Sequence, residues 1–365
     1  MCVAILLILF AMCGGVAFAE DGSDPDSVYD ESLEEIKRQL PDSVASYLDN
    51  SDTRDQNGVI NGFLDILNGI LSDFTGLLRD PLRLFGLVCA ILIVCAAAGV
   101  FGRQDGRIPT RGAVSLVGSL AISGAVSAVV MTAVQSAIGT ITTAEQFVNG
   151  FIPVYAGLLV SSGQITSAAM FSGGILGAAT VASSVITSFV RPVTGVMLGL
   201  AIVSGVNDNG MTTLATGMRK TVMWVMGVVA SLFVGLIGLQ GMVTKQTDNM
   251  ALRTTRYLVG SSIPVIGSSV SEAVSTVSGS FQVIRATVGS AGIIALCGIF
   301  LPEMIRLILC SLAMSMAAGI GEMVGTPALS RSIRTVKSAV DIITAIMSFY
   351  FIALAACTAI MIKSG

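Results

Sequence analysis

The sequence predicts an all-α polytopic membrane protein, a Gly/Ala/Ser-rich helical bundle, and three observations carry that prediction. Residues 112–144 and 146–190 contain no charged side chain. Hydrophobic residues make up 53% of the chain and charged ones only 12%, with a mean hydropathy of +0.84. A helical crossing needs about 20 apolar residues, so residues 82–365 have room for roughly seven to ten membrane segments, some of them re-entrant.

Met1 to Ala19 has an apolar run of signal-peptide length, and Ala17-Phe18-Ala19 before Glu20 suits cleavage after Ala19. No Lys or Arg precedes the run, which departs from the usual signal pattern. Residues 20–57 hold 12 acids and 3 bases, an acidic segment placed outside the cytoplasm by the export signal. Within it Leu33, Ile36 and Leu40 share a helical face that Pro41 ends. The next segment, 58–81, reads as an amphipathic helix at the membrane surface. Ile60, Phe63, Leu64, Leu67, Leu71, Phe74 and Leu78 recur at helical spacing, and Asp80-Pro81 reads as its break. Lipid and a partner protein are equal candidates for that apolar face, because the helix carries one base, Arg79, where interfacial helices usually carry many.

Leu84–Phe101 is the first clear crossing. The following loop, Gly102–Arg111, carries Arg103, Arg107 and Arg111 against Asp105, so the positive-inside tendency places it in the cytoplasm. The second crossing, within 112–143, leads to an expected loop near Glu145. Residues 147–206 form either three short spans or one span and a re-entrant hairpin, with Arg191-Pro192 as the break. Asn207-Asp208-Asn209-Gly210 reads as a turn and Arg219-Lys220 as a cytoplasmic flank. Thr221–Thr244 is a clean crossing that carries the only Trp, Trp224. Arg331, Arg334 and Lys337 read as a third cytoplasmic loop before a last span, Ser338–Ile362.

Gly173/Gly177, Gly195/Gly199 and Gly321/Gly325 have GxxxG spacing, which lets helix backbones approach closely in lipid. Gly173, Gly177, Gly195 and Gly199 are therefore the expected packing positions, within the chain or in a homo-oligomer. Ionisable groups in apolar surroundings are costly, and Glu272, Arg285, Glu303, Arg306, Glu322 and Asp341 stand out. Glu303 and Arg306, at i and i+3, can pair on one helical face. Pairing or snorkelling is the plainer account of these charges; a polar conduit or subunit contact is the alternative.

Ser268–Arg285 is the most patterned segment. Val270, Val274, Val277, Phe281 and Ile284 form an apolar stripe at 4-3-4-3 spacing. Ser271, Ser275, Ser278, Gln282 and Arg285 form a polar stripe one position later. Ser269 with Glu272 fits a capping box, so a helix begins here. The polar stripe either lines a wet passage or belongs to a helix lying outside the membrane.

Little in the chain supports catalysis. There is no histidine, which removes the commonest general base. No phosphate loop, nucleophile elbow or HExxH occurs. Cys89, Cys95, Cys297, Cys310 and Cys357 lie in apolar segments without CxxC spacing, so no metal site is expected. No catalytic residue, cofactor or nucleic-acid partner is predicted; the partners expected are the lipid bilayer and other membrane proteins.

The segment YLVGSSIPVIGSSVSEAVSTVSGSF (257–281) resembles the most characteristic block of the stage III sporulation protein AE family. GSAGIIALCGIFLPEMIRLILCSLAMSMA (289–317) and FSGGILGAATVASSVITSFVRPVTGVMLGLAIVSGVNDN (171–209) resemble the same family, as does the order of signal, acidic head and multi-span body. The resemblance implies a part in endospore formation. It implies a non-enzymatic subunit, with the other stage III A proteins, of a channel or specialised secretion apparatus between mother cell and forespore. It further implies residence in the mother-cell membrane around the forespore. The alternative is a stand-alone secondary transporter or permease, for which interrupted helices and matching halves are expected; no convincing internal repeat is present.

The export signal and the basic loop make one joint prediction. A cysteine at Ser27 should react with an impermeant thiol reagent in intact cells, and one at Gly106 only after the membrane is opened. Labelling at Gly106 from outside would reverse the orientation of the first crossing.

Overall fold

A computed structural model describes residues 33–38, 40–41, 44–46, 56–72, 74–101, 110–185, 192–193, 195–197, 199–200, 210–262 and 267–364. Its long elements are all helices: α1 (Gln56–Ser72), α2 (Phe74–Phe101), α3 (Thr110–Ser161), α4 (Ile165–Val185), α5 (Met211–Ser262), α6 (Gly267–Met323) and α7 (Pro327–Ser364). Five, α2, α3, α5, α6 and α7, contain stretches long and apolar enough to cross a membrane. The protein is an all-α polytopic membrane protein.

Among the described residues the helices are long and continue through several predicted breaks. Glu145 lies inside α3 rather than in a loop. Its surroundings, Ile141 to Phe147, contain no Gly or Pro, and the Thr142 and Thr143 hydroxyls bond back to the carbonyls of Ile138 and Gly139. Asp80-Pro81 does not end a helix either: both residues sit within α2. Arg331, Arg334 and Lys337 belong to the first turns of α7. Two described turns are sharp, and each has a glycine at positive φ. After α3, Gly163 (φ 81°) allows the Gln164 N–H to reach the Leu159 carbonyl at 2.9 Å. After α6, Gly325 (φ 83°) does the same for Thr326 N–H and the Gly321 carbonyl at 2.9 Å. Both are Schellman caps, which only glycine enters without strain. Pro327 then opens α7 at the position where its missing N–H costs nothing.

The core is organised around α7, which packs on α3, α4, α5 and α6. Its apolar stretch is 89% buried within the chain, against 17% for that of α5. Helix α5 instead turns Trp224, Leu232, Leu236, Leu239 and Val243 outward. Phe147, Phe151 and Tyr155 stack at i, i+4 spacing along α3, and Phe171 of α4 closes the cluster against Tyr155 at 4.6 Å. Phe300 of α6 meets Tyr350 and Phe351 of α7 at 5.8 and 5.4 Å. Helix α1 rests on α6 and buries Ile66 and Ile70, while Leu64, Leu71 and Phe74 stay exposed. In the acidic head Ile36, Leu40 and Val44 are buried. Residues 1–32 lie outside the described residues, and with them the expected signal.

Among the described residues, close approach falls at Gly174, Gly241, Gly289, Gly292 and Gly321. A Cβ on Gly173, Gly177, Gly195 or Gly199 would, among the described residues, meet nothing within 4 Å. Helix α4 turns a neighbouring face inward, where Gly174 would place its Cβ 3.3 Å from Cys357 Sγ. Gly292 of α6 admits the Phe151 ring, Gly289 admits Ile362 and Tyr155, and Gly241 of α5 admits Ile360. Of the third predicted pair, Gly321 faces Ser330 and Leu92 while Gly325 serves the turn. In Gly292→Val the added carbons overlap the Phe151 ring, and the variant should lose about 1–3 kcal/mol. Gly173→Ala should stay within about 1 kcal/mol of wild type. Thermal unfolding in detergent tests the difference, and equal melting would remove the close-contact assignment.

Candidate functional site

Asp80, Glu303, Arg306, Arg219, Lys337 and Asp341 gather at one level of the bundle. On α6 this level runs from Glu303 to Ser311, about two turns. Arg306 pairs with the Asp80 carboxylate of α2 through Nη2. Its Nη1 donates to the Ser136 hydroxyl of α3 at 3.3 Å and lies 3.6 Å from Glu303 Oε2. On the opposite side Asp341 of α7 is the focus. It pairs with Arg219 of α5 at 3.0 Å and Lys337 at 3.3 Å, and accepts the Ser311 hydroxyl at 2.6 Å. Helices α2, α3, α5, α6 and α7 thus contribute to one charged belt.

A second polar level encloses the α3–α4 turn. The Asp248 carboxylate of α5, buried, accepts the Thr166 N–H at 3.1 Å, the Ser167 N–H at 2.9 Å and the Ser167 hydroxyl at 2.6 Å. These are the amides a local cap would satisfy at the start of α4; here the cap comes from another helix. Arg285, 1% exposed, donates to Gln164 Oε1 from the α6 side. Its Nε and the neighbouring Tyr155 hydroxyl have no hydrogen-bond partner. From Arg219 to Asp248 along α5 is 29 residues, about 44 Å; from Ser311 to Arg285 along α6 is 26 residues, about 39 Å. That separation matches a bilayer with its headgroups, about 40–45 Å.

Beyond the belt, away from Asp248, stands another apolar tier. Helix α2 climbs from Asp80 to Phe101, about 32 Å, beside the first half of α3. Its far end is marked by Gly118 against Cys95 and Leu329, and by Gly321 against Leu92 and Ser330. Arg334 and Glu322 pair there at 2.7 Å, both about half exposed, so water weakens that pair. A cavity of about 400 Å³ beside them is lined by Thr213, Thr216, Glu322, Arg331 and Arg334.

The predicted Glu303–Arg306 pair is present, but its strongest partner, Asp80, was assigned by sequence to a helix break. Asp341 and Arg306 each engage three side chains. Arg285 is enclosed rather than wet, because Tyr155, Gln164 and the α3–α4 turn cover it. Helix α6 begins at Gly267, near the predicted start. The side chains of Ser271, Glu272, Ser275, Ser278 and Gln282 lie outside the described residues. Asp248, Gln164, Ser167 and Arg219 were not predicted; their partners are remote in sequence. Among the described residues no group of three or more Cys, Asp and Glu could hold a metal ion.

The sequence model of the family described as Stage III sporulation protein AE matches residues 59–365, all seven helices except the first three residues of α1. The chain belongs to the stage III sporulation protein AE family. It is also similar to the Stage III sporulation protein AE of Bacillus subtilis (strain 168), with 32% identity over 162 residues. That match spans 44% of this chain and 41% of the relative. No solved structure matches. Membership makes this a sporulation protein.

Removing the Asp248 carboxylate leaves two amides at the start of α4 without their acceptor. Asp248→Ala should cost about 1–3 kcal/mol and speed proteolysis at the α3–α4 turn. Arg334→Ala, at an exposed pair, should change stability by under about 1 kcal/mol. Proteolysis of the two purified variants at matched temperature tests the contrast; equal rates would deny Asp248 its capping role.

Proposed function

We propose that this protein is a non-enzymatic structural subunit of a channel or specialised secretion apparatus between mother cell and forespore. It is assembled with other stage III A proteins in the mother-cell membrane around the forespore. One observation carries the reading: the bundle holds more apolar length than one bilayer covers. The candidate crossings of α3, α5 and α6 run 42, 42 and 40 residues, polar levels included, about 60 Å each. Helix α3 stays beside its neighbours for most of that length, meeting Leu329 of α7 near Gly118 and the Arg285 level at Tyr155. A hydrocarbon core is about 30 Å thick, and the steepest common tilt, about 40°, lengthens the path to only about 40 Å. Apolar surface left outside lipid is stable when other protein covers it. A subunit embedded in an assembly meets that requirement; a permease working alone does not.

The family supports the sporulation part of this reading, and the charged belt supports the structural part. Asp80 and Asp341 are engaged by arginine or serine of neighbouring helices, which suits a framework holding helices in register. Purification of the full-length protein from sporulating cells in mild detergent tests the proposal. Other stage III A proteins should co-purify in fixed ratio. A monodisperse single chain that binds a small solute would support the permease and overturn the subunit reading.

A further inference from the structure

We propose that the cavity between the start of α5 and the first turns of α7 binds an anionic phosphate ester, with Arg334 as the guanidinium that meets it. The cavity has a volume of about 400 Å³, within the range of small-molecule sites, about 300–1,000 Å³. Arg331 and Arg334 stand at i and i+3 on one face of α7, and Glu322 at the end of α6 is the acid of the lining. Thr213 and Thr216, both exposed, bring hydroxyls from α5. Two guanidiniums therefore face one carboxylate. Arginine suits phosphate because its planar fork of N–H groups donates two parallel bonds to one anion.

The helices add to that charge. Thr213 is the third residue of α5 and Pro327 the first of α7, so the positive ends of two long helices meet the cavity. Gly210, just before α5, has no side chain with which to cap the first amides of that helix. The deciding groups are open to a ligand: the side chains of Arg334 and Glu322 are 54% and 47% exposed. Arg334 reaches Glu322 at 2.7 Å through Nη2 and makes no other ion pair among the described residues, which leaves Nη1 and Nε to donate elsewhere. The buried Thr335 and Ser338 hydroxyls are already spent on the carbonyls of Arg331 and Arg334; they form wall. Glu322 is thus the internal competitor of any anion that comes to Arg334. The cavity lies at the far end of the α2–α3 tier, at the depth of the headgroups of a bilayer covering that tier. Its phosphate can come from an anionic lipid or from a soluble ester in the water beyond.

Full-length protein, delipidated in mild detergent, is titrated by calorimetry with dioctanoyl phosphatidylglycerol and with glycerol 3-phosphate, which carry the same phosphoglycerol group. Binding should weaken with added salt. Binding of the lipid alone assigns the site to a headgroup held with its chains, binding of glycerol 3-phosphate alone to a soluble ester, and binding of both to the group they share. Arg334→Ala should lose about tenfold in affinity, the factor expected from one charge-assisted hydrogen bond. Glu322→Gln should bind about threefold more tightly, because it removes the repelling carboxylate and releases Arg334 from an exposed pair. Both side chains are about half exposed, so both variants fold. The two substitutions break the same ion pair, and a merely structural pair would move binding the same way in each; an anion site moves it in opposite directions. Failure of both probes to bind, unchanged affinity in Arg334→Ala, or no gain in Glu322→Gln overturns the proposal.

Discussion

A charge inside an apolar bundle must find its partner within the bundle, and this requirement fixes how the long helices stand against one another. Asp341 takes Arg219 from α5, Ser311 from α6 and Lys337 from its own helix. Arg306 takes Asp80 from α2 and Ser136 from α3. Sliding any of these helices by one turn, about 5.4 Å, would separate groups now within hydrogen-bonding distance and leave a desolvated charge alone, the costly outcome. Apolar packing alone tolerates such slips better, because one Leu or Val face resembles the next. The charges therefore specify register, while the apolar surface supplies the adhesion.

Helix α7 illustrates the other half of the same economy. Enclosed by its neighbours, it cannot turn polar side chains to water. Its Ser338, Thr344, Ser348 and Thr358 hydroxyls instead bond to their own backbone carbonyls four residues earlier. Small residues on the surrounding helices bring those helices close: Gly241, Gly289 and Gly321 each face a side chain of α7. Membrane interfaces gain from such approach because dispersion replaces the hydrophobic effect as the source of adhesion. Helix α5 has the opposite surface, with large apolar residues outward along most of its length.

The fold class and the family were legible in the sequence because uncharged runs and whole blocks of residues carry them. Helix boundaries were less so. Asp80-Pro81 has the composition of a break, yet α2 continues through it, and the Asp80 carboxylate meets Arg306 226 residues away. Glu145 signalled a loop because a lone acid in an apolar run is costly, but no turn residue accompanies it. The pair Glu303–Arg306 could be predicted since both partners lie one turn apart. Asp248 could not, because it caps a helix 81 residues distant and its own neighbourhood, Lys245 to Asn249, reads simply as polar. GxxxG spacing named Gly173 and Gly177, whereas the face that packs runs through Gly174; spacing fixes a pair of positions on a helix but not which way the pair points.

The belt and the Asp248–Arg285 level divide the protein into two apolar tiers, and this division bears on what surrounds it. Backbone polar groups are no obstacle to burying either tier, since every helix satisfies its own. The obstacle is length. Lipid that covers the tier between belt and Asp248 leaves Leu87, Ile93, Val94, Val117 and Leu120 beyond the bilayer. Lipid that covers the α2–α3 tier leaves Leu232, Leu236, Leu239 and Val243 beyond it. Each set consists of exposed apolar side chains, which soluble surroundings tolerate poorly when they lie together. Since α3 and α6 run through both tiers beside each other, neither tier can fold back into the same bilayer without breaking the belt. The same charges that hold the helices in register therefore hold the two tiers together.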